Sequence, residues 1–285
     1  MKINIKNIEI SNNSPIILIA GLNVFEDLDM AEKVASELKK ITGKLNIPFI
    51  FKASFDKANR SSFESYRGPG LEEGIKIFNE IKRSLGVPVI TDVHEIEQVE
   101  KISEVADIIQ IPAFLCRQTD LIRAACATKL PLNIKKGQFL SPGQMLNIID
   151  KCHSFNNENI MLCERGSSFG YNNLIVDFLG VSELKNYKKP IILDVTHSLQ
   201  IPGGKGNAAD GRSDQALDLS LAGTAIGLAG LFIEVHPDPR KALCDGPSAT
   251  RLDEIENILN KVKTIDNIVK LSLIHISEPT RRDQI

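Results

Sequence analysis

Eight short apolar runs are spaced along the length of the chain. They lie at residues 16–20, 47–51, 87–90, 107–111, 130–134, 160–163, 191–195 and 231–235. Their largely hydrophobic character is typical of parallel strands, which are buried on both faces of a sheet. Segments with helical periodicity separate most of them, as in a parallel sheet with crossover helices. The pattern predicts an α/β fold, a single (β/α)8 TIM barrel, at residues 1–270.

The segments between the runs place apolar residues three and four positions apart, as one buried face of a helix requires. This spacing predicts helices at 30–41, 71–85, 118–127, 142–152 and 216–229, and a weaker helix at 175–184. The gap before the eighth run is long and contains GGKG at 203–206 and Gly211, so we expect an extended loop there. A lid over a substrate and a plain solvent loop both fit this composition.

Composition excludes several classes of protein. Lys and Arg total 34 against 36 Asp and Glu, and the charges are spread along the chain, so no basic field indicates nucleic acid or a membrane surface. The five cysteines include no Cys-x-x-Cys pair, which argues against a disulfide framework or a zinc cluster. No run approaches the ~20 apolar residues of a membrane span or resembles a signal peptide. We therefore expect a soluble, cytoplasmic protein.

A polar or charged residue stands at or near the C-terminal end of every run. These residues are Asn23, Lys52, Asp92, Gln110, Lys135, Arg165, His197 and Glu234. In a (β/α)8 barrel the C-terminal ends of all strands converge on one mouth, where active sites lie, so these side chains should meet. Strands also end in polar residues because they reach solvent, but polar residues at all eight ends favour a functional site.

Several cations are expected at this mouth or its rim. They are Lys52, Lys57, Lys135, Arg165 and, close behind Lys57, Arg60. Such a cluster persists when anions neutralise it, and lysine and arginine bind phosphate and carboxylate through charge-assisted hydrogen bonds. The segment KANRSS at 57–62 adds amide and hydroxyl groups suited to a phosphate. The alternative is structural salt bridges with the carboxylates of Asp56, Asp92, Glu164 and Glu234.

A second set combines an imidazole with two carboxylates. His197 follows the seventh run, Glu234 lies near the end of the eighth, and Asp245 lies in the next loop. These residue types resemble a metal site that lacks one ligand. They are equally suited to order a water molecule and move protons without a metal.

Five longer motifs complete the pattern. They are FKASFDKANRSS at 51–62, YRGPG at 66–70, IPAFL at 111–115, CERG at 163–166 and HPDP at 236–239. With them, residues 15–270 resemble the 3-deoxy-D-manno-octulosonate 8-phosphate synthase family. The resemblance implies a homotetrameric barrel, without a cofactor, that condenses phosphoenolpyruvate with arabinose 5-phosphate and water. The products would be the eight-carbon 3-deoxy sugar phosphate, a precursor of the Kdo sugar of lipopolysaccharide, and phosphate.

The resemblance also implies roles for individual residues. Phosphoenolpyruvate would be held by Lys57, Lys135 and Arg165, with Gln110 and Ala113 lining its pocket. The aldose phosphate would be held by Lys52, Asn59, Arg60, Ser61 and Asp92. Arg117 would reach into the aldose phosphate site of a neighbouring subunit, and Glu234 would contact substrate. Among the catalytic candidates, Lys57 would donate a proton to the aldehyde oxygen, and His197 and Asp245 would handle the attacking water.

Metal dependence divides this family at the end of the first strand. Members that require a metal resemble AGPC there, whereas this chain has AGLN at 20–23. Neutral asparagine is a poor substitute for a soft thiolate ligand, so we expect a metal-independent enzyme in which Asn23 is a catalytic candidate.

Two segments depart from the family. ADGR at 209–212 replaces a Ser-Gly-Gly stretch that precedes a basic residue in the lid, so we expect the lid to close differently. The sequence does not decide whether Lys205 and Arg212 contact substrate. Residues 271–285 do not resemble the family's C-terminus, and we expect either a non-native segment or a disordered tail.

Two other functions remain as alternatives. The synthase that joins phosphoenolpyruvate to erythrose 4-phosphate shares the barrel but usually has Lys-Pro-Arg-Thr in the phosphate loop. Ala58 and Asn59 favour the five-carbon aldose instead. A non-catalytic phosphosugar-binding barrel would bind ligand without turnover.

Overall fold

Eight parallel strands form a closed barrel in the computed structural model, which describes residues 1–203 and 210–277, with side chains of the last helix described to residue 271. In chain order the barrel strands are β1 Ile17–Gly21, β2 Phe49–Lys52, β3 Val89–Asp92, β4 Ile108–Ile111, β5 Leu132–Lys135, β6 Ile160–Glu164, β7 Ile191–Asp194 and β8 Gly230–His236. Each strand pairs with the next, and β8 also pairs with β1, which closes the barrel. The predicted TIM barrel and all eight strands are confirmed.

Helices follow the strands and surround the barrel. They are α1 Leu28–Leu45, α2 Leu71–Leu85, α3 Ile96–Ser103, α4 Thr119–Ala127, α5 Met145–Ser154, α6 Phe178–Lys185, α7 Ala216–Ala225 and α8 Ile255–Ser277. Six correspond to predicted helices, whereas α3 and α8 were not predicted. The predicted 216–229 helix was wrong at its end, because Gly227 adopts a left-handed backbone with φ of +73° just after α7 ends.

Shorter elements connect these parts. The short strands are Ile3–Ile5, Ile8–Ile10, Ser167–Ser168, Leu174–Ile175, Gln200–Ile201, Asp210–Gly211 and Thr250–Arg251. The short helical turns are Ala113–Leu115, Pro142–Gln144, Val195–Ser198, Ser213–Gln215, Pro239–Lys241, Gly246–Ser248 and Leu252–Glu254. The first two strands form an N-terminal hairpin, residues 3–10, that was not predicted.

The N-terminal hairpin packs into one end of the barrel. Its four isoleucines are buried in one cluster with residues near the starts of strands, including Ile17, Ile108 and Ile192. A larger apolar cluster lies between the strands and the surrounding helices. The N-terminal end of the barrel is therefore filled with aliphatic side chains, which leaves the opposite end for polar groups.

The last helix continues beyond the predicted domain boundary at residue 270. Its backbone is helical to Ser277, and residues 278–285 lie outside the described part of the chain. Within the described residues, no helix is both long enough and apolar enough to cross a membrane.

Candidate active site

A cavity of about 710 Å³ opens at the C-terminal end of the barrel. Six predicted site residues line it: Lys57, Asn59, Arg60, Ser61, Arg165 and Asp245. Others lie at the strand ends and are almost fully buried: Asn23, Lys52, Asp92, Gln110, Lys135 and Glu234. The His197 side chain is 13% exposed. The structure therefore brings the residues predicted at the strand ends to one end of the barrel.

Lys52 and Glu234 form an ion pair across the barrel mouth. The Lys52 Nζ lies 2.5 Å from Glu234 Oε1, and both side chains are 1% exposed. The same ammonium donates to the carbonyl oxygens of Asn23 and Leu22, at 2.9 and 3.2 Å. Burial lowers the pKa of Lys52 to about 8, although Glu234 opposes the shift. Burial alone would raise the pKa of Glu234, but Lys52 and nearby cations lower it below its ordinary range.

Lys135 belongs to a second buried ion pair. Its Nζ lies 2.5 Å from Asp194 Oδ2, 3.2 Å from His197 Nδ1 and 4.0 Å from the centre of the Phe232 ring. Asp194 also approaches His197 Nδ1, at 2.8 Å, and the other ring nitrogen lies 3.7 Å from Glu234 Oε2. Burial opposes ionisation of Asp194, yet His197 and Lys135 hold the pKa of this carboxyl far below its ordinary range. His197 is therefore oriented by Asp194 between the two ion pairs.

Lys57 has a different environment. Its Nζ donates to Ser54 Oγ at 2.9 Å, and the Ser54 hydroxyl donates to Asp92 Oδ1. The other Asp92 oxygen lies 3.1 Å from His94 Nε2. Burial opposes ionisation of Asp92, but Lys57 and the hydrogen bond from His94 lower its pKa well below the ordinary range. For Lys57, Asp92 and Glu234 outweigh burial and raise the pKa above its ordinary value, so its ammonium keeps its proton.

Arginines occupy the rim of the cavity. Arg165 donates from Nη2 to Gln200 Oε1 at 3.0 Å, and burial lowers the pKa of its guanidinium. Arg60 contacts Cys244 Sγ and lies 3.9 Å from Asp245 Oδ1. Arg165 has no carboxylate within 4.0 Å among residues 1–203 and 210–271, so its charge is available to an anion in the cavity.

The salt-bridge alternative is correct for only part of the cationic cluster. Lys52 pairs with Glu234 and Lys135 with Asp194, while Glu164 pairs with Lys136, at 3.4 Å, rather than with a cavity cation. Asp56 pairs with Arg67 at the surface. Lys57 and Arg165 form no direct ion pair within the described part of the chain, and both line the cavity.

Asn23 occupies the position where metal-requiring relatives were expected to have cysteine. Its amide nitrogen donates to Glu234 Oε2 and, at 3.2 Å, to Asp245 Oδ2. The amide of Asn23 thus donates hydrogen bonds to Glu234 and Asp245, the two carboxylates that could otherwise bind a metal together with His197. Across residues 1–203 and 210–271, no group of three or more His, Cys, Asp or Glu side chains is arranged to hold a metal ion.

Two predicted residues lie neither in the cavity lining nor among the buried side chains at the strand ends. Ala113 begins a short helical turn after β4, and Arg117 is exposed beyond it. Within the glycine-rich lid segment, Gly204, Lys205, Gly206 and Ala209 lie outside the described residues. Arg212 donates to Asn173 Oδ1 at 3.2 Å and to the carbonyl oxygen of Leu174 at 3.1 Å. The guanidinium of Arg212 therefore links the segment that follows the lid to the loop that contains Asn173.

Several polar residues at this end of the barrel were missed by sequence reasoning. They are His94, Asn133, Gln138, Asp194 and Gln200. Asp194 lay inside the predicted seventh run, where its charge near the strand's C-terminal end was a usable signal. Asn133 donates to Gln110 Oε1 at 3.1 Å from the middle of β5, and its inward direction depends on strand register. No local signal in the sequence distinguishes Gln138 from an ordinary loop residue.

Comparison with known proteins shows the family of this chain. A profile of the DAHP synthetase I family matches residues 1–271. A 2-dehydro-3-deoxyphosphooctonate aldolase 1 of Pseudomonas putida is 57% identical over 94% of this chain and 95% of its own length. Proteins named 2-dehydro-3-deoxyphosphooctonate aldolase from Pseudomonas entomophila and Hahella chejuensis are 57% and 55% identical, with the same coverage. The chain therefore belongs to the DAHP synthetase I family and is similar, over nearly its whole length, to members with the octonate aldolase name.

Proposed function

We propose that this protein is a cytoplasmic 3-deoxy-D-manno-octulosonate 8-phosphate synthase of Kdo and lipopolysaccharide biosynthesis. It condenses phosphoenolpyruvate with arabinose 5-phosphate and water, and releases phosphate. The observation that carries the proposal is one cavity lined by Lys57, Arg60 and Arg165 at the mouth of the barrel. Two phosphorylated substrates require such a concentration of cations, and similar proteins named for the octonate product support the choice between substrates.

Phosphoenolpyruvate is assigned to the inner part of the cavity. Arg165 and Lys57 face it without a direct carboxylate partner in the described residues, and Lys135 lies at the end of the neighbouring strand. Gln110 and Ala113 complete the phosphoenolpyruvate pocket in the proposal. A guanidinium can donate two parallel hydrogen bonds to a carboxylate or phosphate, whereas a lysine ammonium contributes a compact positive charge.

The aldose phosphate is assigned to the outer loop after β2. Asn59, Arg60 and Ser61 line the cavity there and supply an amide, a guanidinium and a hydroxyl. Lys52 and Asp92 lie at the adjacent strand ends beneath this loop. The loop thus offers donors to a terminal phosphate at the cavity rim, and the aldehyde would point towards the strand ends.

The reaction forms one carbon–carbon bond and one carbon–oxygen bond, from water to carbon 2, and it breaks the carbon–oxygen bond to phosphate. Carbon 3 of phosphoenolpyruvate attacks the aldehyde, water adds at carbon 2, and phosphate leaves from the tetrahedral intermediate. Lys57 is assigned as proton donor to the aldehyde oxygen, because it borders the cavity and its ammonium forms no direct ion pair within the described residues. His197, whose Nε2 lies 3.7 Å from Glu234, is assigned together with Asn23 and Asp245 to orient the water and accept its proton. Nearby cations would stabilise the charge that moves between the reacting groups.

The reaction is proposed to need no metal. The Asn23 amide donates to both Glu234 and Asp245, and a neutral amide lacks the affinity of a thiolate for a transition metal. Activity should therefore be unchanged after dialysis against a strong chelator. Loss of activity in the chelator that a divalent ion restores would refute this part of the proposal.

A homotetramer is proposed to complete the aldose site. Arg117 is exposed and does not line the cavity of its own subunit, which fits a role in a neighbour's site. Light scattering should give a mass four times that of the chain, and Arg117→Ala should raise the KM for arabinose 5-phosphate. A fully active monomer would refute both assignments.

The catalytic unit is proposed to end near residue 270. The family match stops at residue 271, and Lys270 donates to the carbonyl oxygens of Leu228, at 2.8 Å, and of Asn12, both near the N-terminal end of the barrel. Removal of residues 272–285 should leave kcat, both KM values and the thermal midpoint unchanged. A loss of activity would show that the tail belongs to the enzyme.

Phosphate release distinguishes this function from its alternatives. Purified protein is supplied with phosphoenolpyruvate and either arabinose 5-phosphate or erythrose 4-phosphate. The proposal predicts a kcat/KM at least tenfold higher for arabinose 5-phosphate. A preference for erythrose 4-phosphate would indicate the heptulosonate synthase, and tight binding of both substrates without turnover would indicate a binding protein.

A further inference from the structure

His94 lies outside the cavity lining but is connected to it by a buried chain of hydrogen bonds. Its Nε2 contacts Asp92, Asp92 accepts from Ser54, and Ser54 accepts from Lys57. Ser54 is completely buried and Asp92 is 5% exposed, so solvent does not compete for these groups. His94 has none of the roles assigned above, yet the series of hydrogen bonds that begins at His94 ends at Lys57, the proposed proton donor.

The donors and acceptors in this series of hydrogen bonds can be arranged in only one way. Asp92 is ionised and can only accept, so the ring nitrogen of His94 that faces it must carry a proton, as must the Ser54 hydroxyl. With its proton directed at Asp92, Ser54 presents a lone pair to Lys57. The Ser54 oxygen is the only hydrogen-bond acceptor for the Lys57 Nζ within the described residues, and it leaves other N–H bonds for the cavity.

His94 is itself held in place. Its backbone N–H donates to Gln98 Oε1 at 2.8 Å, and its ring packs edge-on against Phe55 at 5.9 Å between ring centres. Its Nδ1 is buried and has no hydrogen-bond partner among the described side chains and backbone. The imidazole therefore has one polar contact, with Asp92, and that contact fixes the rotation of the carboxylate.

We propose that His94 is a positioning residue for Lys57 and acts through Asp92 and Ser54. The inference rests on the proposed function, because it concerns the same proton donor. Without His94, the free Asp92 oxygen can rotate and the carboxylate can pair directly with Lys57. Lys57 would then be drawn away from the aldehyde oxygen. Displacement of a catalytic group by about 1 Å costs up to ~100-fold in rate.

Other titratable groups also face Lys57, and they limit what a substitution at His94 changes. They are the carboxylates of Asp92, Glu234 and Asp245, the ammonium of Lys52, and the thiol of Cys244, whose pKa burial raises to about 12. All remain in a His94 variant, so the Lys57 charge should persist and the change should be one of position. The substitution should therefore change kcat by a larger factor than either KM value.

Steady-state kinetics of four variants and one control variant test the inference. His94→Leu and Ser54→Ala should each lower kcat about tenfold, with both KM values within about threefold of wild type. The double variant should also lose about tenfold rather than about a hundredfold, because both substitutions interrupt one chain. His94→Gln, whose amide can still donate to Asp92, should keep at least half of the wild-type kcat. His153→Leu, at a surface ion pair with Glu158, is the matched control and should match wild type.

Three results would each overturn the inference: a His94→Leu kcat within twofold of wild type, multiplicative losses in the double variant, or equal losses in His94→Gln and His94→Leu. If His94→Leu does not fold, His94→Asn replaces it, since the shorter amide does not reach Asp92. Wild-type turnover with arabinose 5-phosphate is measured first. Its absence would reject the proposed function, whereas normal wild-type turnover with unaffected variants would reject only the role of His94.

Discussion

The two ends of the barrel are built from the same eight strands but contain opposite chemistry. At the N-terminal end, Ile3 and Ile10 of the hairpin pack against Ile17 and Ile108 in an aliphatic cluster. At the C-terminal end, the buried side chains include the ion pair of Lys52 with Glu234. Aliphatic burial stabilises a fold, whereas burial of an ion pair gains little because both charges lose their hydration. The difference indicates that one end maintains the barrel and the other performs chemistry.

The largest expected effect is on catalysis at the polar end. Lys57→Met removes the proposed proton donor and should lower kcat about 10²- to 10⁴-fold, the usual contribution of a general acid. His197→Ala should also reduce kcat, because the water loses its orienting base. Lys76→Met, at an exposed lysine paired with Glu73, is the control for Lys57. Near-normal turnover in either site variant would remove that residue from its assigned role.

Breaking the buried ion pair should affect both stability and activity. Glu234→Gln leaves the Lys52 ammonium in a site that is 1% exposed, which should lower the free energy of unfolding by about 3–5 kcal/mol. The double variant Lys52→Met with Glu234→Gln should recover much of that stability and none of the activity. Urea denaturation of both variants checks this. Equal stability of wild type and the single variant would show that the pair is better solvated than its burial indicates.

A substitution at the aliphatic end should affect stability alone. Ile10 is completely buried, so Ile10→Ala should lower the free energy of unfolding by about 2–5 kcal/mol through lost burial and a new cavity. Its kcat and KM values should stay within twofold of wild type. Ile96→Ala, at a side chain that is 48% exposed, is the control. A large loss of kcat in Ile10→Ala at a temperature where it is folded would contradict the separation of the two ends.

The smallest expected effect is a difference in pH dependence. Asp194 and Glu234 have pKa values below their ordinary range in the folded protein. Their contribution to stability is present above their unfolded pKa of about 4 and is lost as the pH falls towards the folded values. The free energy of unfolding should therefore decrease below about pH 4, less steeply in Asp194→Asn and equally steeply in Ile10→Ala. Identical slopes in wild type and Asp194→Asn would contradict the assigned pKa direction.

The architecture was more predictable than the detailed site. Apolar runs buried on both faces identify parallel strands, and a barrel requires their C-terminal ends to meet, so Lys52, Lys135 and Glu234 could be brought together from the sequence. The partners of these residues depend on register and rotamer. The contacts of Asp194 with Lys135, at 2.5 Å, and of His94 with Asp92, at 3.1 Å, are therefore seen only in the structure.

The N-terminal hairpin was not predicted, although its sequence has the pattern of strands. The alternation of Ile3, Ile5, Ile8 and Ile10 has the period of a half-buried strand, so the local signal was present. In α8, likewise, Ile255, Ile258, Leu259 and Val262 have helical spacing and are buried. Their spacing indicates strands and a helix, but where these elements pack on the barrel depends on the tertiary structure.

Calorimetric titration with phosphoenolpyruvate tests the central claim, that the polar end of the barrel holds the substrates. The account predicts one binding event per chain in wild type and in Ile10→Ala, and binding at least tenfold weaker in Arg165→Leu. Equal affinity in wild type and Arg165→Leu, or loss of binding in folded Ile10→Ala, would contradict it.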